Sequence, residues 1–214
     1  MEKLGNVFIL GDSYSTFEGY IPEGYGAWYQ KEIKKDTDVC NVSETWWHIL
    51  LEELSGNLLL NDSWSGTTIC NTSYWGDATG NSFITRFDRI HKKGFFEENK
   101  IDTMLIFGAT NDNWANAPIG EDNYGDPTKE ELFSFLPALC LLLRQAEEIL
   151  PEAKRVFIVN TELKDEISEG IKRVAEKYGT HVIELKDISK RSGHPDKTGM
   201  AQIANQVKEA LKKI

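Results

Sequence analysis

Short uninterrupted apolar runs alternate with longer amphipathic stretches along this chain. Val7 to Leu10 is a compact apolar run closed by Gly11, the signature of a strand buried on both faces. A helix is predicted through Trp46, Trp47, Ile49, Leu50 and Leu54, with Ser43 as its cap and Gly56 at its end. Leu58 to Leu60 reads as the second strand, and Phe83, Phe87 and Ile90 have helical spacing up to Gly94. Met104 to Phe107 is the third strand. Thr128 and Glu131 then form a capping-box pattern before a long helix through Leu132, Leu139, Leu143 and Ile149, with Pro151 beyond it. Val156 to Val159 is the fourth strand, Ile167 to Ala175 the next helix, and Val182 to Leu185 the fifth strand. A last helix spans roughly 198–211.

Strands that alternate with helices pair in parallel through right-handed crossovers, which cover both faces of the sheet. The expected fold is therefore α/β, a three-layer α/β/α sandwich around a five-stranded, doubly wound parallel sheet. Its length of 214 residues suits one domain over 1–214. The Gly/Asn/Asp-rich stretch from Trp114 to Asp126 reads as a long functional loop and not as a linker.

Composition narrows the partners. The formal net charge of -10 disfavours nucleic acid and anionic membranes. No apolar run approaches the ~20 residues of a membrane span. Cys40, Cys70 and Cys140 are an odd, scattered set that suggests neither a disulfide framework nor a zinc site. No signal peptide precedes Gly11-Asp12-Ser13, so the chain reads as cytoplasmic, or as secreted if a leader has been removed. No cofactor or metal is called for, and oligomeric state is not readable from the sequence.

In such sheets, ligands bind beyond the carboxyl ends of the strands. Four polar segments fall there: Gly11-Asp12-Ser13-Tyr14-Ser15, Ser65-Gly66-Thr67-Thr68, Gly108-Ala109-Thr110-Asn111-Asp112, and Gly193-His194-Pro195 ahead of the last helix. Parallel topology gathers them on one rim. Together they hold the parts for acyl transfer. Ser13 is a nucleophile in need of a base, and His194 titrates in the right range to be that base. The Ser13 N–H, the Gly66 N–H and the Asn111 amide are candidate donors to an oxyanion. Taken alone, Ser13 also suits a helix N-cap; the company of His194, Gly66 and Asn111 favours the nucleophile.

These four segments resemble, in order and spacing, the sequence blocks of the SGNH (GDSL-type) hydrolases. Gly11-Asp12-Ser13 with Ser15 matches the first block, Gly66 the second, Asn111-Asp112 the third, and His194-Pro195 followed by Gly199 the last. The resemblance implies a metal-independent esterase, lipase, thioesterase or carbohydrate deacetylase. Two positions depart from the pattern. Arg191 stands three residues before His194, where the family usually has the triad aspartate, and Ala109 replaces a glycine two residues before Asn111. Asp187, or more weakly Glu184, could orient the imidazole; a Ser–His dyad held by a backbone carbonyl is an equal alternative.

Aromatic residues crowd the expected rim. Tyr14, Trp64 and Trp114 are the candidate substrate-binding residues, and Tyr20, Tyr25, Trp28, Tyr74, Trp75 and Tyr124 lie in nearby loops. The expected substrate is a small acyl ester, with a lean towards carbohydrate O-acetyl esters, because an aromatic face can stack on a sugar ring. The competing expectations are a flavodoxin-like module that holds a phosphate on Tyr14-Ser15-Thr16, and a degenerate SGNH protein that binds an ester without cleaving it.

Overall fold

A computed structural model describes residues 3–32 and 35–214. The chain runs β1 (Gly5–Gly11), α1 (Trp46–Glu53), β2 (Gly56–Ser63), a small hairpin of β3 (Thr72–Ser73) and β4 (Gly76–Asp77), α2 (Phe83–Lys92) and α3 (Phe95–Glu98). It continues through β5 (Thr103–Gly108), α4 (Thr110–Trp114), α5 (Phe135–Ile149), β6 (Lys154–Val159), α6 (Asp165–Lys177) and β7 (His181–Glu184). A second small hairpin of β8 (Lys190–Arg191) and β9 (His194–Pro195) precedes α7 (Lys197–Leu211). The main sheet has the order β2-β1-β5-β6-β7, and all its pairings are parallel.

The period of two along each strand sorts the core into two layers. Phe8, Leu10, Met104, Ile106 and Phe157 pack towards α2, α5 and α6. Their neighbours Val7, Ile9, Leu105, Phe107 and Ile158 pack on the other face, against α1 and α7. Strand order reverses between β1 and β5, and such a switch point opens a crevice at the carboxyl ends of the two strands. Ser13 leaves β1 there and Asn111 follows β5.

Three local expectations shift. Ser43 does not cap α1. It sits in a single 3₁₀ turn capped by Asn41, and Thr45 is the α1 cap, its hydroxyl accepting from the His48 N–H. Strand β2 starts at Gly56 and runs through Asn61, Asp62 and Ser63, because those polar residues have buried partners. Arg86 of α2 pairs with the Asp62 carboxylate at 2.5 Å and donates to the Gly11 carbonyl at 3.0 Å. The Thr128–Glu131 capping box forms, but it opens a short 3₁₀ turn, and α5 begins only at Phe135.

All three cysteines are unpaired, and Cys70 and Cys140 are buried. Among the described residues no helix is long and apolar enough to cross a membrane.

Candidate active site

The first loop is built by its own side chains. Asp12 is extended, and its carboxylate accepts the Tyr14 N–H at 3.0 Å, which caps the turn Ser13–Ser15. Burial pushes the Asp12 carboxyl up to about 7. The third block is tied to the second in a similar way. Asp112 accepts the Ile69 N–H at 2.9 Å and the Cys70 N–H at 3.1 Å, and burial raises its carboxyl to about 6. Both acids brace loops, and neither side chain is exposed.

Ala109, where the family resemblance implies a glycine, adopts the left-handed conformation that glycine would, with φ 72°. A non-glycine residue there carries strain of roughly 1 kcal/mol. The turn survives because β5 and α4 over-determine it on both sides, and Asn111 emerges at the rim.

Ser13 and His194, 181 residues apart, meet at this rim. His194 Nε2 lies 2.8 Å from Ser13 Oγ, and both side chains are almost wholly buried. On the far side of the ring, Nδ1 lies 3.2 Å from the Ser192 carbonyl. A carbonyl only accepts, so Nδ1 carries the proton and Nε2 turns its lone pair to the serine hydroxyl. Burial and the Lys190 charge lower the His194 pKa from 6.5 to about 4, so the ring is neutral at physiological pH.

Asp187 does not orient the imidazole. It is an exposed residue with φ 52° on the turn after β7, and the Ser192 carbonyl occupies the position at Nδ1 that it would need. Glu184 is also elsewhere, paired with Lys172 at 3.3 Å. Arg191, at the usual aspartate position, points to Asp38 at 3.7 Å. Asp187→Asn is therefore expected to leave kcat within about twofold of the parent, as for most exposed substitutions. Asparagine also tolerates the left-handed backbone there. A severe loss of kcat in steady-state assays would restore Asp187 to the site.

The Asn111 amide has a fixed orientation. Its Oδ1 accepts from the Tyr74 hydroxyl at 3.1 Å, and its Nδ2 donates to the Thr67 carbonyl at 3.0 Å. A longer contact of 3.4 Å links Nδ2 to Asp12 Oδ2, which leaves the second amide hydrogen weakly held. The backbone N–H groups of Ser13 and Gly66 make no hydrogen bond to another described residue. Gly66 has φ 79°, which favours glycine, and a Cβ there would stand 3.1 Å from the Trp75 ring, so the indole would have to give by a few tenths of an ångström.

Around these groups lies a cleft of about 270 Å³ lined by Ser13, Trp28, Ser65, Gly66, Tyr74, Trp75, Asn111, Trp114 and His194. Two of the three expected substrate-binding aromatics are not part of it. Tyr14 is fully buried beneath the site, and its hydroxyl donates to the Gly193 carbonyl at 2.6 Å. Trp64 stacks on Tyr25 at 4.1 Å and lies outside the lining. Trp114 does line the cleft, with its ring edge-on to His194 at 5.9 Å.

The residues that take the missing places are Trp28, Tyr74 and Trp75. Trp28 lies flat over His194, at 3.7 Å between ring centres and 9° between planes. Trp75, 79% exposed at the tip of the β3–β4 hairpin, forms the outer wall. The sequence shows them only as loop aromatics; the sole further signal is that Tyr74-Trp75 sits next to a glycine in a tight turn.

The phosphate-binding reading of Tyr14-Ser15-Thr16 fails on burial. Ser15 Oγ accepts from the Trp46 indole at 3.3 Å, and Thr16 Oγ1 donates to the Ser13 carbonyl at 2.9 Å. All three side chains are fully buried. Among the described residues no group of three or more His, Cys, Asp or Glu side chains is arranged to hold a metal ion.

The profile of the GDSL-like Lipase/Acylhydrolase family matches residues 5–211. Among solved structures, a putative GDSL-like lipase from Bacteroides ovatus ATCC 8483 is 41% identical with a TM-score of 0.91, the match covering 100% of both chains. A second such protein, from Bacteroides uniformis ATCC 8492, is 40% identical with a TM-score of 0.90, covering 100% of this chain and 97% of the other. An acetyl xylan esterase from Butyrivibrio proteoclasticus shares the fold at 16% identity, with a TM-score of 0.62 over 100% of this chain and 64% of its own. Among curated proteins, no sequence matches the chain. With its sheet order, its four rim segments and this match over nearly its full length, the chain belongs to the GDSL-like lipase/acylhydrolase family.

Proposed function

We propose that the protein is a serine esterase for small acyl esters, with O-acetylated carbohydrates as the favoured class. The observation that carries this reading is the 2.8 Å contact between Ser13 Oγ and His194 Nε2 at the floor of an aromatic cleft.

In this reading Ser13 Oγ attacks the ester carbonyl while His194 Nε2 takes its proton. The imidazolium that forms keeps its Nδ1–H on the Ser192 carbonyl. The oxyanion is held by the Ser13 N–H, the Gly66 N–H and the weakly held hydrogen of Asn111 Nδ2. The alcohol leaves with the proton from Nε2, and a water activated by the same nitrogen then resolves the acyl-serine.

Size and chemistry of the cleft support the substrate class. At about 270 Å³ it is small against the ~300–1,000 Å³ of most ligand sites, so it suits an acetyl group better than a long acyl chain. Trp114 and Trp75 at its mouth offer flat apolar faces to a sugar ring. Acetyl xylan esterase and carbohydrate esterase family 2 are named among the proteins of similar fold, which agrees with this choice.

A screen of acetylated sugars and p-nitrophenyl esters of rising chain length tests it, with Ser13→Ala as control. Acetyl esters should turn over fastest and octanoyl esters slowest. A preference for octanoyl esters would reject the substrate class, and hydrolysis unaffected by Ser13→Ala would reject the nucleophile. A protein that binds acetylated sugars without cleaving them would be the degenerate binder.

The pH dependence follows from the imidazole. The neutral ring is the base, and lowering its pKa from 6.5 to about 4 keeps it in that form to lower pH. The acid limb of kcat/KM is therefore expected near pH 4, with activity retained at pH 5. A pH–rate profile whose acid limb falls near 6.5 would show a solvated, ordinary histidine instead.

A further inference from the structure

The segment that supplies the nucleophile also grips the backbone of the base. Tyr14, next to Ser13, donates its hydroxyl to the Gly193 carbonyl at 2.6 Å. Tyr29 donates to the Pro195 carbonyl at 2.8 Å. Both tyrosines are fully buried and belong to the core layer under α1 and α7. The carbonyls immediately before and after His194 are thus tied to residues near the other end of the chain. One residue before Gly193, the Ser192 carbonyl lies 3.2 Å from Nδ1.

The placement of Tyr29 is itself enforced. The Trp28 N–H donates to Thr16 Oγ1 at 2.9 Å, and the Glu18 N–H donates to the Tyr29 carbonyl at 3.0 Å. Residues 28 and 29 are therefore anchored to the strand-end loop that carries Ser13. From that anchor Trp28 covers the imidazole face and Tyr29 reaches the backbone beyond it. A further link, from the Ser192 hydroxyl to Asp36 at 3.0 Å, is exposed and so weaker.

We propose that Tyr14 and Tyr29 are positioning residues for His194, doing by two backbone ties from buried side chains the orienting that a triad carboxylate does by a side-chain bond. A carboxylate can follow the ring by turning its own side chain. A peptide carbonyl is fixed in the main chain, so Ser192 can serve Nδ1 only if the 192–195 backbone is itself held. The β8–β9 pairing supplies part of that restraint, and the tyrosines supply the part that connects it to the nucleophile. The proposal rests on the Ser13–His194 reading given above.

Tyr14→Phe and Tyr29→Phe keep the buried rings and remove only the hydroxyls. Each is expected to lower kcat for p-nitrophenyl acetate about tenfold with KM little changed, because misplacing a catalytic group by a fraction of an ångström slows the chemical step. In ¹⁵N NMR, His194 of the parent should show a single Nδ1–H tautomer between pH 6 and 8. Each variant should show a mixture of tautomers or exchange broadening. A kcat within twofold of the parent with the tautomer intact would overturn the proposal, whatever happens to Tm. Should the variants not fold, an Nε2–H tautomer in the parent would overturn it equally, and so would rapid exchange of the Tyr14 and Tyr29 hydroxyl protons, whose protection would uphold it. The tautomer is read without turnover, so a protein that hydrolyses no ester would reject the esterase reading while the NMR result still judges the brace.

Discussion

Ser13→Ala and His194→Ala are each expected to lower kcat against p-nitrophenyl acetate by at least about 10³-fold, and the double variant to lose no more than either alone. The reason is that in the proposed mechanism the two groups act as one unit. Without the imidazole, the Ser13 hydroxyl keeps its proton at neutral pH and is a poor nucleophile. Without the hydroxyl, Nε2 has nothing to deprotonate but water. Removal of either member of such a pair disables the other, so the losses do not multiply. Steady-state rates for the three variants, corrected for spontaneous hydrolysis, check this. Multiplicative losses would mean that the two side chains act independently, despite the 2.8 Å between them.

Asn111→Ala is expected to lower kcat by about 10²–10³-fold, or about 2.7–4 kcal/mol of barrier, with a much smaller change in KM. The amide is held in one orientation by Tyr74 and Thr67, so its weakly held second hydrogen needs little rearrangement to meet a developing charge. Such a donor acts mainly on the transition state, which places its loss in kcat. The variant also leaves the Thr67 carbonyl and the Tyr74 hydroxyl without their partner, so Tm should fall. Rates measured well below the unfolding transition separate the two effects. A loss confined to KM would make Asn111 a substrate-binding residue only.

How much of this was legible in the sequence differs between elements. The buried strands of the sheet could be read because burial on both faces forces runs such as Val7–Leu10 and Met104–Phe107 to be apolar throughout. The polar end of β2 could not, because Asn61, Asp62 and Ser63 are stabilised by partners such as Ser15 and Arg86 that are distant in sequence. Residue type alone puts the α1 cap two residues early, because Ser43 and Thr45 both suit a cap and only the intervening 3₁₀ turn decides between them.

The candidate site shows the same division. Ser13, Gly66, Asn111 and His194 could be placed on one rim because parallel topology fixes where strands end. The direction of a loop side chain has no such rule. Tyr14 follows Ser13 directly yet turns into the core, and Trp64 turns to Tyr25, whereas Trp28 arrives over His194 from a long excursion between β1 and α1. The fate of Asp187 depended on where the Ser192 carbonyl would lie, a backbone detail with no trace in residue type.

Labelling with a fluorophosphonate, followed by peptide mapping, tests most directly whether Ser13 is activated by His194. One adduct per chain should form on Ser13, and His194→Ala should slow its formation by at least about a hundredfold. An unlabelled parent protein, a label on another serine, or undiminished labelling of His194→Ala would contradict it.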